Sequence, residues 1–169
     1  TGTSMPQGRA LHTAVWTGTE MLIWGGDPGT SSQTYAPDGA RYDPATDTWS
    51  AMSPGPLSRT NHSAVWTGAH MIVWGGQNRP QDLSDGASYD PPSDTWTVLT
   101  PSGLASRRNH ACVWTGTEMV VWGGQTGTFS NYLFYRDGAR YDPSSSTWSP
   151  MAVAGAPSAR KSPFVARGA

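Results

Sequence analysis

The sequence contains little charge, a single cysteine and no long apolar run. Lysine and arginine together number 11 and aspartate and glutamate 12, so the 169 residues carry a formal net charge of -1. A chain this close to neutral gives no electrostatic reason to bind nucleic acid or an anionic membrane surface. Cys112 has no second cysteine for an internal disulfide, and its position inside an apolar run predicts a small buried core residue. No stretch reaches the length of about 20 apolar residues that a membrane span requires.

Glycine, proline and aromatic residues, by contrast, are abundant. The chain holds 20 Gly, 14 Pro, nine Trp, six Tyr and three Phe, which predicts many turns together with large buried aromatic surfaces. It starts at Thr1 rather than Met and shows no signal peptide, so we expect a processed, trimmed or excised product. The low charge and the many Thr, Ser, Gly and Trp residues favour a secreted or cell-envelope protein of a bacterium.

The chain contains three near-copies of one sequence segment. The first half of each copy combines an Arg-x-x-His, an apolar run, a Thr-Gly turn and a second apolar run that ends in Trp-Gly-Gly, at 9–26, 59–76 and 107–124. The second half reads DGARYDPATDTW, DGASYDPPSDTW and DGARYDPSSSTW, at 38–49, 85–96 and 137–148. Each unit therefore has two fixed halves around a variable middle, with a period near fifty, and such a period predicts a repeat architecture.

Four short segments of each unit have the pattern of β-strands. In the first unit these are TAVW before the Thr17-Gly18 turn, MLIW before Gly25-Gly26, ARY before Asp43-Pro44, and the residues around Trp49. Short β-branched or aromatic runs separated by Gly and Asp-Pro are typical of strands and turns. No segment keeps a 3.6-residue apolar period, so helices are not predicted. The sequence predicts an all-β fold with about four strands in each repeat.

Four antiparallel strands in about fifty residues form one blade of a β-propeller. Trp-Gly-Gly at the end of the second strand, followed by Tyr and Trp seven residues apart in YDPATDTW, resembles the Kelch motif. The resemblance extends from Arg9 to about Ser158 and implies a single Kelch-repeat array over 1–169. We place its blades at about 9–58, 59–106 and 107–159, with a partial fourth repeat over 160–169.

Three blades do not close a propeller, which typically has four to eight. A fourth unit begins with SPFVARGA, Ser162 to Ala169, which aligns with His62 to Ala69 but lacks the His and the Trp. The open ends of a three-blade stack expose apolar blade faces, which soluble proteins cover. We therefore expect additional propeller blades as partners, from a second copy or from another chain, or as part of a longer polypeptide, which the incomplete fourth repeat favours.

The antiparallel strand order places the connections on two faces of the array. The 1–2 and 3–4 turns are short and nearly identical in every unit, so we expect the face that carries them to be structural scaffold. The 2–3 loops at 27–37, 77–84 and 125–136 differ in text and share the other face with the 4–1 connections. Loops on a rigid scaffold often carry binding residues, so we expect ligands on this variable face.

Two groups of residues on the variable face are candidates for binding. The first is the Arg-x-x-His set with its neighbouring donors: Arg9, His12, Arg59, Asn61, His62, Arg107, Arg108, Asn109 and His110. A ring of these groups suits a carboxylate or an acidic loop, through bidentate hydrogen bonds. The alternative is structural: each Arg and His braces its blade, with Asp38, Asp85 or Asp137 as the Arg partner, as repeated elements usually do. A zinc site on the three histidines is disfavoured because separate blades hold them apart.

The second group is an aromatic cluster in the third variable loop, made of Phe129, Tyr132, Phe134, Tyr135 and Arg136. Exposed aromatic rings beside an Arg are typical of interaction hot spots and also suit stacking on a sugar ring. The alternative is that these rings cover the edge of the third blade or contact a further blade.

Both groups favour a non-catalytic interaction module that binds a protein or glycan through the variable 2–3 and 4–1 loops. The sequence contains no placeable Ser/His/Asp nucleophile, GxGxxG, P-loop or EF-hand spacing, so we predict no catalytic residue, cofactor or metal. Some Kelch-like propellers are copper oxidases or sugar mutarotases, so the resemblance keeps a propeller enzyme as an alternative. A copper oxidase requires a Cys that cross-links to a Tyr, and Cys112 has no assignable partner. A purely structural propeller subunit of a larger assembly is the third possibility.

Overall fold

The computed structural model describes residues 5–29, 35–128 and 130–158, and within these ranges all regular structure is β-strand. The first sheet has the order β1-β2-β3-β4 and the second the order β5-β6-β9-β10. The third has the order β11-β12-β15-β16. The strands are β1 (Thr13–Trp16), β2 (Met21–Trp24), β3 (Gly39–Asp43), β4 (Thr48–Ala51), β5 (Ser63–Trp66), β6 (Met71–Trp74), β7 (Gln77–Asn78), β8 (Gln81–Asp82), β9 (Gly86–Asp90), β10 (Thr95–Val98), β11 (Ala111–Trp114), β12 (Met119–Trp122), β13 (Gln125–Thr128), β14 (Asn131–Phe134), β15 (Gly138–Asp142) and β16 (Thr147–Pro150).

Each of the three four-stranded sheets is one propeller blade, and we call them blades 1, 2 and 3. All their strand pairs are antiparallel, and the same positions face each other in every blade: Met21 lies opposite Tyr42, as Met71 lies opposite Tyr89. The predicted all-β blades are confirmed, and the four strands of each blade come from one repeat.

The short turns that join strands 1–2 and 3–4 are closed by local hydrogen bonds. The Thr17 N–H donates to the Glu20 carbonyl at 2.9 Å, around Gly18 with a φ of 105°. In the Asp-Pro turn after β3, the Asp43 carboxylate accepts from the Ala45 N–H at 2.8 Å. That hydrogen bond and one from Thr46 lower the pKa of Asp43. Side chains that bond back to the local backbone stabilise such turns.

Two apolar clusters hold the three blades together. The first joins Leu22, Trp24 and Met52 of blade 1 to Met71, Val73 and Tyr89 of blade 2. The second joins Val65, Ile72 and Trp74 of blade 2 to Met119, Val121 and Tyr141 of blade 3. Because side chains alternate along a strand, β6 sends Met71 and Val73 toward blade 1, and Ile72 and Trp74 toward blade 3. The aromatic residues thus fill the space between sheets, as their repetition predicted.

Two of the variable middles contain additional hairpins rather than loops alone. Strands β7 and β8 pair in blade 2, and β13 and β14 pair in blade 3, each as a separate two-stranded sheet. Single β-bridges, such as Arg108 to Gln125, tie these hairpins to the chain that leads into the inner strand. No helix in the described residues is long and apolar enough to cross a membrane. The partial fourth repeat over 160–169 lies outside the described residues.

Candidate binding face

The arginines of the Arg-x-x-His set are buried braces within their own blades. Arg59 is fully buried, and its Nη1 and Nη2 donate to the two Asp85 carboxylate oxygens at 3.0 Å each. Its Nη1 also donates to the Gly75 carbonyl at 3.0 Å. Arg107 repeats this arrangement with Asp137 at 2.8 and 3.3 Å, and Arg9 contacts Asp38 at 2.9 Å. With all three guanidinium groups committed in this way, the geometry favours the bracing alternative over a ligand-binding ring.

The histidines of the set connect one blade to the next. His62 of blade 2 shares a hydrogen bond with the Thr13 hydroxyl of blade 1 at 2.7 Å, and His110 does the same with Ser63 at 2.7 Å. Both imidazoles are buried, and each meets a Trp of the preceding blade edge-on, with ring centroids 5.3 and 5.1 Å apart. Burial lowers the pKa of His110 to about 3 and that of His62 well below 6.5. His12, which has no preceding blade in the described chain, is exposed.

The double glycine is required because the next blade approaches it closely. The Gly26 N–H donates to the Arg59 carbonyl at 2.9 Å, and the Gly76 N–H donates to the Arg107 carbonyl at 2.9 Å. A Cβ added to Gly25, whose φ is 69°, would lie only 2.9 Å from Cε1 of His62. No larger residue fits this space without displacing the histidine. Trp-Gly-Gly and Arg-x-x-His therefore meet across each contact between blades.

Asn61 and Asn109 occupy the left-handed turn between Arg and His. Both have a φ of 54°, a conformation that Asn adopts more readily than most residues. The Asn61 N–H donates to the Leu11 carbonyl at 3.4 Å, and the Asn109 N–H to the Asn61 carbonyl at 3.1 Å, which links neighbouring blades in series. Both residues are half-buried, so the sequence prediction that they contact a ligand stays a prediction.

Arg108 has a different environment from Arg107, although both were predicted as donors for a ligand. Its side chain is nearly buried, pairs with the Asp82 carboxylate and donates to the Gly127 carbonyl at 2.7 Å. Asp82 also accepts from the Thr126 hydroxyl at 2.7 Å. This pair joins the β7–β8 hairpin of blade 2 to the β13–β14 hairpin of blade 3. Sequence reasoning missed Asp82 and Thr126; the signal was that the third repeat has Arg where the others have Ala10 and Thr60.

The aromatic cluster of the third variable loop is divided by the structure. Tyr132 and Phe134 are two residues apart on β14, so their side chains lie on the same side of the strand. Their ring centroids are 6.2 Å apart, and the residues are 36% and 39% exposed. Arg108 lies over the Tyr132 ring at 5.6 Å. Tyr135 instead is half-buried under Arg107 at 4.1 Å. Arg136 is exposed. Phe129 lies outside the described residues. The hairpin thus exposes two rings, Tyr132 and Phe134, to solvent, while the ring of Tyr135 packs against the buried Arg107.

Cys112 has the properties of a core residue. It is 1% exposed, and burial raises the pKa of its thiol to about 12. Since the thiolate is the reactive form, this cysteine is unreactive at neutral pH. Among the residues that the structure describes, no group of three or more His, Cys, Asp or Glu side chains is placed to hold a metal ion.

Comparison with known proteins agrees with this architecture. A family model, the KLHDC2/KLHL20/DRC7 Kelch-repeats domain, matches residues 1–167. The chain belongs to this Kelch-repeat family. A solved structure, described as "Structure of YjhT", is similar to this Kelch chain with a TM-score of 0.70 and 15% sequence identity. The similarity covers 85% of this chain and 52% of that one, so the Kelch chain spans about half the length of its structural relative. At this identity the likeness shows the fold alone. No curated protein matches the chain.

Proposed function

We propose that this Kelch chain is a non-catalytic protein-interaction module whose binding surface is the side of the β13–β14 hairpin that carries Tyr132 and Phe134. Kelch domains serve in general as interaction modules. The observation that carries the specific proposal is the exposed pair Tyr132 and Phe134. Large aromatic rings exposed side by side are costly to leave in water, and they are common anchors of protein interfaces.

The hairpin suits binding because it is held in place before a ligand arrives. The buried pair of Arg108 and Asp82 fixes its base, and the Arg108 guanidinium lies over the Tyr132 ring at 5.6 Å. Strands β13 and β14 pair over four positions, from Gln125 with Phe134 to Thr128 with Asn131. A surface that is already ordered loses less conformational entropy on binding. The two rings therefore meet a partner as a rigid patch.

Other parts of the variable face belong to this surface in the proposal. We include the exposed Arg136 and His12 and the half-buried Asn61 and Asn109 as polar groups of the same variable face. A glycan ligand is the second candidate, favoured by the same two rings, because a sugar ring stacks on an aromatic face. The propeller-enzyme alternatives have no comparable observation in their favour, since Cys112 is buried and the arginines of the repeat are paired.

We also infer that blades 1 and 3 contact further propeller blades. Each has one face without a neighbouring blade in the described chain, whereas blade 2 is covered on both sides. Trp16 on the open face of blade 1 is 53% exposed, and Val113 on that of blade 3 is 39% exposed.

The binding surface is tested with a library of random linear peptides displayed on phage and selected against the full chain, in parallel with a glycan array. Peptides selected by the native chain are expected to lose about 2 kcal/mol or more of binding free energy with a Tyr132→Ala, Phe134→Ala variant, because both anchors are removed. Val98→Ala is the matched control, since Val98 is 74% exposed on the outer strand β10. Peptides that bind the double variant as well as the native chain would contradict the protein-binding surface. Selective binding of array glycans, lost in the double variant, would replace it with the glycan candidate.

A further inference from the structure

The β13–β14 hairpin has one edge closed by side chains and one edge left open. On β13, the Gly127 N–H donates to the Asp82 carboxylate at 3.2 Å, and the Gly127 carbonyl accepts from Arg108 at 2.7 Å. On the same edge, Gln125 exchanges two backbone hydrogen bonds with Arg108, each of 2.9 Å. The polar groups of this edge are therefore already paired. The opposite edge of the hairpin is β14, whose only sheet partner in the described chain is β13.

The register of the two strands shows which backbone groups of β14 point away from the hairpin. In an antiparallel pair, residues that bond to the facing strand alternate with residues whose N–H and carbonyl point outward. Gln125 and Gly127 direct these groups away from β14, and Phe134 lies directly opposite Gln125. The N–H and carbonyl of Phe134 therefore point away from β13. Tyr135 agrees with this alternation, because its N–H donates back to the Gly124 carbonyl at 2.9 Å.

The side chains of β14 do not protect its open edge. All four residues from Asn131 to Phe134 are exposed, and none is charged or a proline. Natural proteins usually shield an open strand edge with a charge, a proline or a bulge, because such an edge otherwise pairs with another chain. The hairpin of blade 2, in contrast, has Arg79 and Pro80 in its turn and the charged Asp82 on β8. The edge of β14 is therefore suited to pairing with a further strand.

Contacts between blades use a different backbone group of this segment. Where blade 2 meets blade 3, the Arg107 N–H donates to the Leu83 carbonyl at 2.9 Å. Tyr135 is the counterpart of Leu83 in blade 3, because the N–H of each donates to the carbonyl of the second glycine of its blade. Asp82, the counterpart of Phe134, contacts blade 3 through its carboxylate. A further blade that repeated these contacts would bond to the Tyr135 carbonyl and leave the backbone of Phe134 unpaired.

From this open edge we infer that the partner of the hairpin is an extended segment of another protein, which adds to β14 as a third, antiparallel strand. An added strand satisfies both the N–H and the carbonyl of Phe134, whereas a helix or a glycan has no matching row of backbone groups. The antiparallel direction follows because antiparallel pairing is the more stable per residue. This inference rests on the proposed function, since it takes the same side of the hairpin as the binding surface.

The side chains beside the edge define the chemistry of the added segment. Residues that lie opposite Tyr132 and Phe134 place their side chains on the same face of the sheet as the two rings, so bulky apolar side chains are expected at these alternate positions. Arg136 is exposed, and the adjacent Asp137 is bonded to Arg107 instead. In an antiparallel segment, an Asp or Glu two residues before the first apolar position would lie beside Arg136.

The experiment uses a peptide that the full chain selects from the phage library, made synthetically with a backbone N-methyl group at each position in turn. N-methylation removes one donor and blocks strand pairing on that side, while the side chain stays the same. The affinity is expected to fall about tenfold or more only at positions of one parity and to change less than about twofold at the positions between them. Losses at adjacent positions, or at none, overturn the added strand.

Amide exchange measured by NMR tests the same edge from the side of the Kelch chain. With peptide bound, the Phe134 N–H is expected to exchange about tenfold more slowly or less, because it gains a hydrogen bond to a peptide carbonyl. The Leu133 N–H is the internal control, since the register directs it at Thr126 on β13, and its exchange should change less. A Phe134 amide that is not slowed, or that is slowed no more than the Leu133 amide, overturns the inference.

Charge variants test the direction of the segment. Arg136→Ala should weaken binding of a selected peptide by about threefold, the size of one exposed ion pair. Arg140→Ala is the matched control: that side chain is 47% exposed on β15 of the same blade, and its removal should leave the affinity unchanged. An affinity that does not respond to Arg136→Ala overturns the acidic, antiparallel segment.

The strand and the hairpin surface fail in different measurements. Peptides that bind the native chain and its Tyr132→Ala, Phe134→Ala variant equally contradict the hairpin surface itself. Peptides that depend on both rings, yet show no alternation in the N-methyl series, overturn the added strand and leave the surface in place. Selective binding of array glycans without any peptide overturns both.

Discussion

At the residue scale, the repeated histidine works only as a neutral group. His62 and His110 each bond a hydroxyl of the preceding blade and lie against its tryptophan. Burial is the main reason that the pKa of each is lowered, and the nearby Arg59 and Arg107 add to the effect. Protonation would place a positive charge in a buried site beside Arg59 or Arg107, so the contact between blades depends on neutral imidazole.

This dependence predicts that the chain loses stability in mild acid. The unfolded chain takes up protons at both histidines as the pH falls below about 6.5, whereas folded His110 resists protonation until about pH 3. The unfolded state therefore binds more protons, and the free energy of unfolding falls with pH. Between pH 7 and 5 we expect a loss on the order of 2 kcal/mol from His110 and a further loss in the same direction from His62. Urea unfolding at several pH values measures it.

Single substitutions show which histidines cause this loss of stability. His110→Asn is expected to reduce the pH dependence by roughly half, because one of the two buried imidazoles is removed. His70→Asn is the control, since that side chain is about half exposed. Asp43, Asp94 and Asp142 have lowered pKa values, so their contribution to stability is lost as the pH falls below about 4, outside this window. A native stability that stays constant from pH 7 to 5 would contradict the assignment.

At the scale of elements, the two hairpins of the variable face depend on one buried ion pair. Arg108 at the base of the third inner strand pairs with Asp82 on β8, and their side chains are 8% and 5% exposed. Asp82 also accepts from the Thr126 hydroxyl and, at 3.2 Å, from the Gly127 N–H of β13. A single carboxylate thus orders the hairpin that presents Tyr132 and Phe134.

We therefore predict that Asp82→Ala destabilises the chain by about 3 kcal/mol, because it leaves the Arg108 charge buried without an opposite charge. Amide hydrogen exchange along β13 and β14 should accelerate more than exchange in the blade strands β11 and β12. Glu118→Ala is the matched control: the side chains of Arg140 and Glu118 are 47% and 28% exposed, so the loss of this pair should cost less than about 1 kcal/mol. Equal effects of the two substitutions on stability would show that the buried pair is not the anchor.

The blades were predictable from the sequence, while the roles of several repeated residues were not. TAVW, MLIW and the Tyr-Asp-Pro turn have local patterns that predict strands and turns, and they form them. Whether Arg59 faces solvent or its own blade depends on Asp85, 26 residues away, and on the closing of the sheet around it. The sequence left both readings open. The β13–β14 hairpin was interpreted as a loop because its residues show no alternation of apolar and polar character.

At the scale of the whole molecule, the three blades differ in how well they are covered. Blade 2 packs against a neighbour on both faces, and all four residues of β6, Met71 to Trp74, are buried. The equivalent strands at the ends are less protected: Met21 on β2 is half-buried, as are Val120 and Trp122 on β12. In an array whose blades contact only their neighbours, the free energy of unfolding is approximately the sum of one contribution from each blade and one from each contact between blades. In the described chain, blades 1 and 3 each have one such contact and blade 2 has two.

This difference predicts the order of amide hydrogen exchange. Exchange in the 169-residue chain should be slowest in β6 and faster in β2 and β12, because in the described chain blades 1 and 3 each open by breaking one contact with a neighbouring blade, whereas blade 2 must break two. Mass spectrometry after timed exchange and proteolysis measures this order. If β2 or β12 were as protected as β6, the uncovered faces of the end blades would not be what limits their stability.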